Sequence, residues 1–159
     1  MDNKNFALRL IVILISSISP FIYMGIVGEL PSISSYWESS MQPMFITVNA
    51  VTSYFFFSID RWRWSALFLL LLTAFSVENY IHLHNIFAIC FFLYNLYPML
   101  TSKRIRWALI PYTLSIVLVF KSILYAEILA ILSLCSAHLY LLIKYMSVKY
   151  IKRIKPYTD

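Results

Sequence analysis

Six times along this chain an apolar run fit to cross, or nearly cross, a lipid bilayer ends in a short polar turn, and this alternation limits the fold more than any other feature. The runs extend about Phe6 to Val27, Pro43 to Ile59, Trp64 to Val77, Asn85 to Leu100, Trp107 to Phe120 and Ile123 to Ile143. A helix needs about 20 apolar residues to traverse the roughly 30 Å hydrocarbon layer. The third and fifth runs are the shortest and must borrow their flanking Trp, Tyr and Ser residues. With 61% hydrophobic and 13% charged residues among 159, and a mean hydropathy of +0.76, the chain carries more apolar surface than a soluble domain of its size can bury. The expected fold is all-α: a polytopic membrane helical bundle of six transmembrane helices, one domain over residues 1–159.

Basic residues orient such a bundle, because Lys and Arg in short loops stay on the cytoplasmic side. With a cytoplasmic N-terminus, Lys4, Arg9, the "DRWRW" and "SKRIR" turns and a basic cytoplasmic tail over 144–159 fall on one side. Of the 13 Lys and Arg residues only Lys121 falls opposite. Both termini are therefore expected inside the cell, and the alternation itself supports an even number of spans. The net charge of +6 then belongs to the inner face, where each basic residue near anionic headgroups contributes about 1 kcal/mol of attraction. Tails of this kind beside a last helix serve orientation, and no nucleic-acid partner is expected. The first run is too long for a signal-peptide core and lacks a small-x-small cleavage site, so it reads as a permanent helix bent at Pro20.

Several chemistries are disfavoured by composition. Only 2 glycines are present, leaving no Gly-rich phosphate loop and no Gly-based helix-packing motif. Cys90 and Cys135 lie inside apolar runs and read as small buried hydrophobes. Aromatic residues make up 18% of the chain, which suits many helix ends at headgroup level. No repeat relates the two halves, unlike many secondary transporters.

The four glutamates, Glu29, Glu38, Glu78 and Glu127, map to the outer face with His82, His84, Asn79 and Asn85. Most of these fall in "SVENYIHLHN", residues 76–85. A membrane hairpin is expected to reverse there, with the third helix ending near Tyr80 and the fourth starting near His84. On an unbroken helix Glu78, His82 and Asn85 would share one face and His84 would not. Zinc takes His, Cys or carboxylate ligands in tetrahedral array, and His82, His84 and Glu78, with a distant Glu127, are the candidate set. No cofactor is otherwise expected. The outer segment "PSISSYWESS" is rich in hydroxyls and offers Ser32 and Ser34 as nucleophiles, with an outer histidine as base; the plainer reading is a polar connector that caps the second helix. Glu127, near the start of the last helix, has Lys121 or the Glu78 and histidine turn as expected partners, and an ionisable group at membrane depth is a functional candidate by default. His138, mid-helix, is expected to be satisfied by a neighbouring helix, and Asn49 and Asn95 are candidates for interhelical hydrogen bonds.

The phrases "PSISSYW", "MQPMF", "HNIFAICFFLYN" and "YAEILAI" together resemble a family of small six-helix bacterial membrane proteins of unknown function. The resemblance covers about Leu30 to Lys144 and extends distantly to the Frag and DRAM type membrane proteins and to the ceramidase and adiponectin-receptor group of membrane hydrolases. It implies that Ser32, Ser34 and Tyr36 form the family's Ser and Tyr phrase, that His84 precedes its aromatic helix, and that Glu127 is the acid of its last helix. Ceramidase-type hydrolases use three zinc-binding histidines with a serine and an aspartate. This chain departs from that set, with two outer histidines and with Asp60 on the inner side.

Two functional classes follow. The first is a non-enzymatic bundle in the cell membrane, expected to be the bacterial inner membrane. Its outer cluster of Ser32, Ser34, Tyr36, Glu78, His82, His84, Asn85 and Glu127 binds a lipid headgroup, a small ligand, another membrane protein or a second copy. The alternative is a lipid hydrolase using the outer His, Glu and Ser groups, with or without a metal. The first needs no missing ligand and is the preferred expectation.

Overall fold

A computed structural model describes residues 3–154, and among them the chain is helical without a strand. Six α-helices follow one another: α1 (Asn3–Val27), α2 (Gln42–Phe57), α3 (Arg63–Ala74), α4 (Val77–Thr101), α5 (Leu109–Leu118) and α6 (Ile123–Ile154). Short 3-10 turns at Ile33–Glu38, Asp60–Trp62 and Arg106–Ala108 join them. Three helices are long and apolar enough to cross a membrane, over Phe6–Val27, Val77–Thr101 and Ile123–Val148. The other three, α2, α3 and α5, have 16, 12 and 10 residues, shorter than the length a full crossing requires.

The helix boundaries follow from local chemistry. Pro43 sits in the first turn of α2, where a missing N–H costs nothing. α1 continues through Pro20; the ring leaves the carbonyl of Ser16 without its usual partner, and Ser19 Oγ donates to it at 3.3 Å. Gly28 follows α1 with φ of 92°, a left-handed conformation that ends the helix and that glycine adopts without a Cβ penalty. α4 departs most from expectation. It starts at Val77, not near His84, because Ser76 caps it: the Ser76 hydroxyl accepts from the backbone N–H of Asn79 at 3.2 Å. The chain reverses at Phe75 and Ser76, both extended, so "SVENYIHLHN" is the opening of a helix rather than a hairpin turn. The break expected near Tyr80 is nonetheless present: a non-helical Tyr80 (φ −138°, ψ 42°) separates the capped turn after Ser76 from the continuous helix that follows. α6 likewise runs through the residues assigned to a separate basic tail, as far as Ile154. Residues 155–159, and the side chains of Lys4, Lys149, Lys152 and Arg153, lie outside the described part of the structure.

Packing is on small and aromatic side chains. Ala126, Ala130, Ser133 and Ala137 form a buried stripe on α6, which packs against both α1 and α5; small residues let backbones approach without glycine. One apolar cluster joins Trp62, Leu69, Phe91, Met99, Ile105 and Tyr112, and a second joins Tyr23, Ile33, Tyr36, Phe45, Leu124 and Ile128. The outside is hydrocarbon as well: Leu14, Ile18, Phe21 and Ile26 of α1 and Ile110, Leu114 and Val117 of α5 are all exposed. An apolar exterior of this extent suits lipid and not water.

The two ends of the bundle differ in charge. At one end the glutamates of the α1–α2 segment meet the starts of α4 and α6. At the other, Arg9, Arg104 and Lys144 surround one cavity, and Asp60 pairs with Arg63 at 2.6 Å.

Candidate functional site at the acidic end

The 3-10 turn Ile33–Glu38 plugs the acidic end of the bundle, and four side-chain bonds hold it there. Ser32 first caps the turn, its hydroxyl accepting from the N–H of Ser35 at 3.2 Å and pairing with Ser35 Oγ at 2.9 Å. Ser32 and Ser35 therefore cap the plug itself, whereas at the start of α2 the Ser39 hydroxyl accepts the Met41 N–H at 3.0 Å and Met41 makes no side-chain cap of its own. From α6, Glu127 Oε2 accepts the Ile33 N–H at 2.5 Å. Tyr36, fully buried, donates its hydroxyl to the Gly28 carbonyl at 2.6 Å. Trp37 Nε1–H donates to the Thr73 carbonyl at 2.8 Å, at the end of α3. Glu38 Oε1 accepts the Glu78 N–H at 2.6 Å, so a carboxylate from the plug completes the N-terminus of α4, where the helix dipole favours negative charge. Beside the plug, Tyr125 donates to Glu29 at 2.7 Å.

Ser32, Ser34, Tyr36 and Glu127 thus converge. Glu127 pairs with neither of its expected partners, Lys121 or the α4 histidines. The physical reason is that the turn enters the bundle end with an N–H free of any helix ladder, and a carboxylate at that depth satisfies it. Glu78 joins through its backbone only, its side chain being exposed. His82 and Asn85 are exposed on α4. His84 is buried, and its Nδ1 donates to the Phe75 carbonyl at 2.7 Å across the α3–α4 reversal, while its Nε2 makes no hydrogen bond among the described residues. The structure does not bring Glu78, His82 and His84 into one group, and among the described residues no three His, Cys, Asp or Glu side chains gather as a metal-binding set. No serine hydroxyl is hydrogen-bonded to a histidine among the described residues; Ser32 and Ser35 bond to each other.

Beneath the plug lies a cavity of about 80 Å³. Its polar lining is Ser34, Glu127, Ser16, Ser19, Asn49 and Thr52, set in walls that include Tyr23 and Phe45. Ser16 and Thr52 bond to each other at 2.8 Å across α1 and α2. Only one oxygen of Glu127 is engaged by Ile33; Oε1 has no hydrogen-bond partner among the described residues. Sequence reading named Ser34 and Glu127 but not Ser16, Ser19 or Thr52, whose hydroxyls look like ordinary helix residues until α1 and α2 are packed.

Of the interior expectations, that for Asn95 is met in part: its amide donates to the Phe91 carbonyl of its own helix at 2.9 Å, and its side chain also meets the Tyr112 hydroxyl of α5. The other is corrected. His138 is not satisfied by a neighbour, since its Nε2 is buried without a hydrogen-bond partner among the described residues. Comparison of the chain with family models, with curated proteins and with solved structures finds no match.

Proposed function

We propose that this chain is a six-pass protein of the bacterial inner membrane, with both termini cytoplasmic and with the short α2, α3 and α5 completing their crossings through the turns and apolar residues that flank them, and that it binds an ammonium-bearing lipid headgroup at its outer end without catalysis. The observation that carries the reading is the cavity under the plug: a carboxylate with one oxygen uncommitted, surrounded by hydroxyls and an amide. Its volume of about 80 Å³ is well below the roughly 300–1,000 Å³ of sites that enclose whole small molecules. A space of that size suits the tip of a larger ligand whose remainder lies in lipid. A primary ammonium has three donors for a carboxylate and two hydroxyls, and the lining includes Tyr23 and Phe45, aromatic residues of the kind that attract a cation.

Purified full-length protein in phosphatidylcholine nanodiscs, examined by native mass spectrometry, tests this. The expected result is preferential retention of phosphatidylethanolamine over its trimethylated counterpart, lost in Glu127→Gln. Equal retention of the two lipids by the parent protein refutes the reading, and release of a hydrolysed lipid refutes its non-enzymatic part. Impermeant labelling of Glu38→Cys and Lys103→Cys in cells is expected to occur from opposite sides, and same-side labelling refutes the six-pass topology.

A further inference from the structure

The basic end of the bundle holds a larger cavity, about 510 Å³, within the usual range of ligand sites. Three cations line it from three parts of the chain: Arg9 of α1, Arg104 of the α4–α5 turn and Lys144 of α6. None of the three is paired with a carboxylate among the described residues, where the only ion pair is Arg63–Asp60. Arg9 donates to the Ser58 hydroxyl at 3.2 Å, and Lys144 reaches the Tyr140 hydroxyl at 3.4 Å, both uncharged partners that leave the positive charge uncompensated.

Below the cations the lining turns apolar, with one exception. His138 lies 8% exposed between Phe56, stacked at 4.8 Å, and Trp62 at 4.4 Å. All three rings line the cavity, and His138 Nε2 is the orphaned atom already noted. A buried ring nitrogen without a partner is costly, and this one lines a cavity large enough to admit the partner it lacks. Lys144 stands six residues beyond His138 on α6, about 9 Å along the axis, with its stem tilted back toward the helix N-terminus and so toward His138. Anion-binding groups at the mouth, a hydrogen-bonding group below them and an apolar wall match the order of parts in an acidic glycerophospholipid: phosphate, ester carbonyl, acyl chain.

We infer that this cavity is a binding site for an acidic glycerophospholipid, its phosphate held by Arg9, Arg104 and Lys144 and an ester carbonyl accepting a hydrogen bond from His138 Nε2. The site goes beyond the proposed function, lying at the opposite end of the bundle and taking a lipid of opposite headgroup charge. Basic pockets between membrane helices hold acidic headgroups by the same physics, and charge-assisted bonds to phosphate are about twice as strong as neutral ones.

The test uses the full-length protein in phosphatidylcholine nanodiscs titrated with phosphatidylglycerol, with bound lipid counted by native mass spectrometry. One tightly held phosphatidylglycerol per chain is expected. Arg104→Gln and Lys144→Gln should each weaken it about tenfold, while Lys103→Gln, a cation outside the cavity, should change it less than twofold. A diether analogue without ester carbonyls should bind about fivefold more weakly to the parent protein, and that difference should vanish in His138→Leu. Equal losses from Lys103→Gln and Lys144→Gln would mean diffuse surface attraction and overturn the site. So would displacement of the lipid by millimolar inorganic phosphate, which would indicate a free-phosphate site, or equal affinity of the parent protein for ester and ether lipids.

Discussion

Replacing Glu127 by alanine tests the latch at the acidic end most directly. The substitution removes the acceptor, 2.5 Å away, of the Ile33 N–H, and the turn must then carry an unsatisfied donor whenever it is seated. A hydrogen bond to a charged group contributes about 1.5–3 kcal/mol net. The bonds made by Tyr36 and Trp37 are untouched, so the seated plug should lose about 2 kcal/mol, which raises its open population about 30-fold. The opening can be read as a rate. Ser34 is only 6% exposed when the plug is seated, so a Ser34→Cys thiol, in a background with Cys90→Ala and Cys135→Ala, reacts with an impermeant maleimide only through opening. Glu127→Ala should accelerate labelling about 30-fold. Glu127→Gln, which keeps an acceptor oxygen, should accelerate it less than about fivefold. Lys121→Ala should leave the rate unchanged, because no ion pair joins Lys121 to Glu127 among the described residues. If Glu127→Ala speeds labelling less than threefold in protein that retains its helicity, the carboxylate is not what holds the plug.

Two stability experiments bear on the same region. Tyr36→Phe removes only the hydroxyl bond to the Gly28 carbonyl and should cost about 1–2 kcal/mol, whereas Tyr36→Ala also empties a fully buried ring site beside Tyr23 and should cost about 3–5 kcal/mol. Thermal denaturation in detergent should rank them so, and equal losses would show that the ring packing contributes little. Gly28→Ala meets no neighbouring atom within 4 Å but must hold φ at +92°, so strain alone should lower Tm by roughly 2–8 °C. Gly25→Ala, equally unobstructed but inside α1, should be neutral or raise Tm; a loss there comparable to that at Gly28 would refute the conformational explanation.

The six helices were legible because hydropathy and turn charge are local signals. Arg61, Arg63, Lys103, Arg104 and Arg106 mark the ends of apolar runs wherever those runs pack. The start of α4 was misplaced because Glu78, His82, His84 and Asn85 have the composition of a loop. The deciding signal was nearby, in Ser76 as an N-cap with an acid in the first turn, but the second acceptor, Glu38, comes from 40 residues earlier. The candidate site was half legible. Glu127 stood out as an acid amid hydrocarbon, yet its partner is a backbone N–H 94 residues away, and nothing in the composition of a turn says which of its amides will be left unpaired. His138 drew the opposite error. A mid-helix histidine is ordinarily satisfied, and its aromatic slot exists only because the 3-10 turn bearing Trp62 folds back beside Phe56.

The sequence by itself determined a helical chain with helices apolar and long enough to cross a membrane, and the charge of each end, because transfer free energy depends on residue type and on spacing along one helix. The tertiary structure alone decided which polar groups are spent and which are left over. At the acidic end, Ser32, Tyr36, Trp37 and Glu38 are consumed in seating a plug, while one oxygen of Glu127 is not. At the basic end, the His138 nitrogen and three cations with no ion pair among the described residues share one cavity. Hydrogen bonds require positions within about 3 Å, and residues 36 to 96 apart in the chain reach such positions only once the helices have packed.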